Sequence, residues 1–148
     1  MIRYFLNLVN IIWITFIMND RKNILLKIRP EIKKNKLFAN ISEEEKFQNK
    51  TLRPILKFQN NLLVELFVNY LEKNKNLFFE LSTELKEEFI ENIINKDQKF
   101  KALIKGLIIG YFTMDEFKFY LSKSNSVNKR LYSLVSIRLK DQIKLLNF

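Results

Sequence analysis

The stretch TLRPILKFQNNLLVELFVNYL, residues 51–71, decides the fold. Ile55, Leu56, Leu62, Leu63, Leu66, Phe67, Tyr70 and Leu71 recur along it in steps of three and four. That is the period of an α-helix with one buried face. Thr51 opens the helix, Pro54 is tolerated within its first turn, and the polar run 72–76 closes it. Arg53, Lys57, Gln59 and Asn60 surround this motif, several of them on the face opposite the stripe, and are the first candidates for contact with a partner.

Outward from this helix the same signals repeat. Ser42 followed by Glu43, Glu44 and Glu45 reads as a capping box, with three carboxylates at the positive end of the helix dipole. Residues 77–81 form a short apolar connector. Ser82 opens a helix with Leu85, Phe89, Ile90, Ile93 and Ile94 inward, and Asp97 caps the next, which buries Phe100, Leu103, Ile104, Leu107, Ile108 and Tyr111. Thr113 and Glu116 form a second capping box, opening a short helix with Phe117, Tyr120 and Leu121 inward. After a polar turn at 123–125, Leu131, Val135, Leu139 and Ile143 repeat every fourth residue in a last helix that runs to about Leu146. No run alternates with the period of a strand, and the chain holds only two Gly and two Pro, too few for the turns of a sandwich or barrel. The expected fold is all-α, a compact bundle of five to seven helices. Residues 18–148 form its single domain and 1–17 an apolar N-terminal extension.

That extension, MIRYFLNLVNIIWITFIM over residues 1–18, admits three readings. Translation begins at Met18 and the segment is an artefact of an upstream start, or it is a helix packed on the domain, or it is a membrane anchor or signal. It is shorter than the roughly 20 residues of a bilayer span and offers no small-residue cleavage site. The expected location is the cytoplasm, with a membrane-anchored alternative through residues 2–17. Membrane association follows only if 1–17 is a genuine anchor, and Arg21, Lys22, Lys27 and Arg29 would then favour a cytoplasmic C-terminal domain.

The 148 residues carry 26 Lys and Arg against 16 Asp and Glu, a formal net charge of +10. Abundant Lys, Asn, Ile and Phe suit an AT-rich codon bias, which accounts for part of the excess; the rest invites polyanions. Between 21 and 36 the chain is a basic arm of Arg21, Lys22, Lys27, Arg29, Lys33, Lys34 and Lys36, helical in part and broken or bent near Pro30. It reads either as a solvated face or as an anion-binding arm. Lys129, Arg130, Arg138 and Lys140 offer loose phosphate contacts on the last helix. A helix–turn–helix reading places Ser126, Asn128, Lys129 and Arg130 in the first turn of a recognition helix. Arg53, Lys57, Lys129, Arg130 and Arg138 are therefore the candidate anion or partner contacts.

The chain has neither His nor Cys. That excludes His acid–base chemistry, Ser–His and Cys–His nucleophiles, disulfides and thiolate metal sites. Glu84, Glu87, Glu88 and Glu91 share one helix face and are expected to be solvated rather than to hold a cation. No catalytic, cofactor or metal site is expected. Gly106 and Gly110, four apart on one helix, suggest close packing against a neighbouring helix, because two glycines in a helix cost about 0.8–1 kcal/mol each; a small ligand pocket is the alternative.

Three stretches, EEKFQNKTLRPILK (44–57), GLIIGYFT (106–113) and NKRL (128–131), together resemble a family of small, uncharacterised, all-helical bacterial proteins. The likeness runs from about residue 21 to 142. It implies a helical domain and assigns no residue a role. Some members carry the label glyoxalase, but metal-dependent glyoxalases bind metal through His and Glu in paired βαβββ modules, and this chain lacks His and strand pattern alike. The expected function is a protein-interaction or scaffold module without catalysis, its partner another protein or a second copy. The alternative is a basic nucleic-acid-associated protein using the 21–36 arm and the last helix, and the third reading an enzyme using Glu, Lys or Tyr.

Overall fold

The computed structural model describes residues 13–14, 20–32, 41–73 and 77–145. Every regular element among them is helical. Residues 20–27 form α1, followed by α2 (Glu43–Phe47), a π-turn (Gln48–Leu52), α3 (Arg53–Phe58) and α4 (Asn60–Lys73). A 3₁₀ turn (Leu77–Glu80) leads to α5 (Thr83–Lys96), α6 (Gln98–Ile109), α7 (Met114–Ser122) and α8 (Ser124–Leu145). The all-α bundle is as expected. Lys33, Lys34 and Lys36, Met18, and all of the extension except Trp13 and Ile14 lie outside the described residues. No helix among the described residues is long and apolar enough to cross a membrane.

The decisive stretch folds differently from its reading. No new helix starts at Thr51: Gln48, Leu52 and Arg53 all keep right-handed helical angles, so the backbone winds on from α2 into α3. Pro54 therefore sits inside a continuous helical path, lacking an amide and crowding the preceding turn. The π-turn widens the helix immediately before it, with the Arg53 amide donating five residues back to the Gln48 carbonyl. That is a recognised way to absorb such a residue. A second irregularity falls at Gln59, whose ψ of 9° separates α3 from α4 while the Gln59 amide still reaches Ile55 at 2.8 Å. Gln59, expected near the surface, is buried with its Nε2 unpartnered.

Where the chain changes direction the caps are as expected. Ser82 accepts from the Leu85 amide, Asp97 from that of Phe100, and Thr113 and Glu116 complete both bonds of their box. At Ser42 only one leg forms, the Glu45 amide donating to the serine hydroxyl at 3.2 Å. A single residue, Lys123, separates α7 from α8, so α8 starts earlier than the polar 123–125 suggested. The three- to four-residue turn of a helix–turn–helix is not formed.

Long α8 is the centre post. Val127, Leu131, Val135 and Leu139 are buried along it, and Ile143 packs at the edge of the core. α5 runs antiparallel to it, with Glu87 pairing with Lys144 at 2.7 Å and Glu91 with Lys140; Glu84, Glu88 and Glu91 are exposed, as expected of a solvated face. α6 meets it where Tyr132 donates to the Lys101 carbonyl, and α7 where the Tyr120 hydroxyl donates to Asn128. Phe47 stacks on Phe119 at 4.8 Å and meets Phe112 edge-on, fixing α2 beneath α7. Phe67 and Phe100, among the largest fully buried side chains, join α4 to α6. Each fully buried Leu, Ile or Phe stabilises the fold by about 1.5–3 kcal/mol.

Candidate functional site

α1 is tied down by its own basic residues. Arg21 donates to the Phe112 carbonyl at 2.8 Å and the Gly110 carbonyl at 3.0 Å, capping the end of α6. Lys22 pairs with Asp115 at 2.7 Å. Arg29 grips Glu116 with two bonds of 2.6 and 2.8 Å and also donates to the Tyr111 carbonyl. Its side chain is 6% exposed and that of Glu116 17%, so this ion pair is largely withdrawn from water. Glu116 also accepts from the Thr51 hydroxyl at 2.7 Å and the Thr113 amide at 2.7 Å. Burial pushes the Glu116 carboxyl upward, but the bonds from Arg29, Thr113 and Thr51 and the Arg29 charge outweigh it and hold the group below its ordinary range.

The part of the basic arm described here is thus engaged internally at Arg21, Lys22 and Arg29. Sequence reading missed this knot because its partners lie more than 80 residues apart. The available signals were Glu116 in its capping box and Thr51 within an apolar run.

The five candidate contacts divide. Lys57 is drawn to the carbonyl of Glu31 at 3.3 Å. Lys129 is exposed, about two and a half turns of α8 before Arg138 and therefore on the opposite side of the helix. Arg53, Arg130 and Arg138 do come together along the seam between α8 and the π-turn–α3–α4 segment. Gln48, at the start of the π-turn, accepts from Arg130 at 2.9 Å, and Asn60, at the start of α4, accepts from Arg138 at 2.9 Å. Arg53 lies between those two anchor points in the chain and is exposed. Gln142 accepts from the Asn60 amide at 3.2 Å, which fixes the amide's orientation. Among the described residues no carboxylate stands within ion-pairing distance of these three arginines. Burial lowers the Arg138 pKa most; the Asp141 carboxylate pulls it back up, and the Arg53 charge, a smaller influence, lowers it.

Among the described residues the two glycines meet no neighbouring helix. A Cβ at Gly106 would meet nothing within 4 Å, and one at Gly110 only the carbonyls of Gly106 (3.4 Å) and Leu107 (3.8 Å) in its own helix. No neighbouring helix among the described residues needs the missing side chains. A cavity of about 10 Å³ lies elsewhere, against Phe67, Leu71, Phe78 and Leu139. Instead Gly106 lies exposed beside an apolar strip. Tyr70 donates to Asp97 at 2.6 Å at one end of the α4–α6 pair, and Phe58 meets Tyr111 edge-on at 5.5 Å at the other, so the two helices run antiparallel. Burial pushes the Tyr70 hydroxyl up to about 12, with Asp97 adding to the shift. Between these ends Leu62 is 53% and Leu103 52% exposed, next to half-buried Leu66 and Leu107. Leu103 was expected to be buried, as were Leu85 and Leu121, which are also exposed. Their helices carry wider apolar arcs than this bundle covers.

Comparison with known proteins adds no relative: no protein family, curated protein or solved structure matches the chain.

Proposed function

We propose that the protein is a helical protein-interaction module without catalysis, pairing with a second copy of itself through the α4–α6 face. The observation that carries this reading is the strip of Phe58, Leu62 and Leu103, each more than two-fifths exposed, beside the open flank of Gly106. Two antiparallel helices presenting such a strip are half of a four-helix arrangement, and a two-fold axis would bring each strip onto its copy. Burying a leucine across that interface gains about as much as burying one in a core. The resemblance to small helical bacterial proteins suits this reading without adding chemistry to it.

The nucleic-acid alternative loses three residues of its arm, since Arg21, Lys22 and Arg29 are already bonded within the chain. Sedimentation velocity over a range of concentrations tests the pairing. The wild type should shift from monomer to dimer, while Leu62→Glu combined with Leu103→Glu should stay monomeric with its helical content unchanged. A wild type that remains monomeric throughout would sink the proposal.

A further inference from the structure

Arg138 is half withdrawn from water and bonded to one neutral amide, and its charged neighbours are the Asp141 carboxylate, outside ion-pairing distance, and the Arg53 guanidinium. Such a group is under-compensated. A buried or half-buried cation ordinarily has an anionic partner, and the guanidinium fork matches an oxyanion with two parallel bonds. The core side of α8 is filled by Val135 and Leu139, so Arg138 lies outside the apolar core.

We infer that the seam between the π-turn and α8 binds a phosphate group, held by Arg53 and Arg138. Asn60, itself oriented by Gln142, aligns the Arg138 fork. Arg130, eight residues earlier on α8, supplies a second basic contact about 12 Å along the helix axis. It is held by Gln48, a neutral acceptor that leaves its charge uncancelled. The carboxylate beside Arg138 is Asp141, exposed and three residues further along α8. With no ion pair to any of the three guanidinium groups among the described residues, the seam suits a phosphate dianion better than a carboxylate. The phosphate belongs either to a small ester or free anion or to the backbone of a nucleic-acid strand, and Arg130 distinguishes the two. A single phosphate reaches only Arg53 and Arg138, whereas a strand also reaches Arg130. The site is independent of pairing through the α4–α6 face.

The test is calorimetric titration of the full chain at low salt, first with inorganic phosphate and then with a short oligothymidylate. Arg53→Gln and Arg138→Gln should each weaken binding by about tenfold or more, the size of a lost charge-assisted bond. Lys129→Gln, on the far side of α8, should leave it unchanged. Should Arg138→Gln fail to fold, Arg138→Lys keeps the charge, removes the fork and should still weaken phosphate binding. If oligothymidylate binds more tightly than phosphate, and Arg130→Gln reduces the dependence of its affinity on salt, the source is a strand. If phosphate binds and Arg130→Gln changes neither titration, the source is a small anion. Absence of binding to both ligands overturns the inference. So does a loss with Lys129→Gln equal to that with Arg53→Gln, which would mean diffuse attraction to a basic surface.

Discussion

Arg29 and Arg138 are the same residue type put to opposite use. Arg29 meets a carboxylate, a carbonyl and an almost dry environment, and its charge is neutralised inside the fold. Arg138 meets an amide, lies near another arginine, and has Asp141 in its neighbourhood but no ion pair among the described residues. The difference lies in what the packing elements bring. At the α6–α7 corner a helix start supplies Glu116, anchored by its own capping box and by Thr51. At the seam, a π-turn and the first turn of α4 supply only Gln48 and Asn60. A net charge of +10 is therefore a poor guide to function by itself. What matters is which cations the fold has left unanswered.

The strongest way to break the comparison is to remove Arg29. Arg29→Ala leaves Glu116 largely buried without its cation and should destabilise the protein by about 3–5 kcal/mol, read from denaturant unfolding. A loss no larger than that of a surface substitution would show that the corner tolerates an unpaired carboxylate.

A smaller effect follows from pH. Because the folded-state pKa of Glu116 is held below its unfolded value, its contribution is present above the unfolded pKa, in the ordinary carboxylate range. It is lost as pH falls through the folded pKa. Glu116→Gln should accordingly lower stability at neutral pH and flatten the decline on the acid side. An acid limb identical to that of the wild type would assign the decline to other carboxylates, such as Asp97, whose pKa the Tyr70 hydroxyl lowers.

The smallest effect should come from the seam. Arg138→Gln removes one bond to Asn60 and the attraction of Asp141, and relieves burial of a charge and repulsion with Arg53, so stability should change by less than about 1 kcal/mol in thermal or denaturant unfolding. A large loss would mean that Arg138 holds α8 to α4 and that the two arginines are alike after all.

Much of the bundle was legible in the order of residues. Ser82, Asp97 and Thr113 announce helix starts through bonds that span three residues, and such bonds need no distant partner. The apolar spacing of α8 was equally readable, since Leu131, Val135 and Leu139 report one face whatever covers it. Leu85, Leu103 and Leu121 were misread because periodicity says which side is apolar, and says nothing of how far the neighbours extend. The stretch 51–71 was helical as expected, but Pro54 and Gln59 divide it in ways its apolar pattern hides.

The sequence by itself determined an all-helical chain without imidazole or thiol chemistry, because composition and local hydrogen bonding are properties of neighbouring residues. Tertiary packing alone gives Arg29 a buried ion pair and leaves Arg138 without one. It also turned Gly106 from a presumed packing contact into an open flank. Those outcomes depend on groups from distant parts of the chain meeting at one place, where burial raises the strength and the cost of every charge.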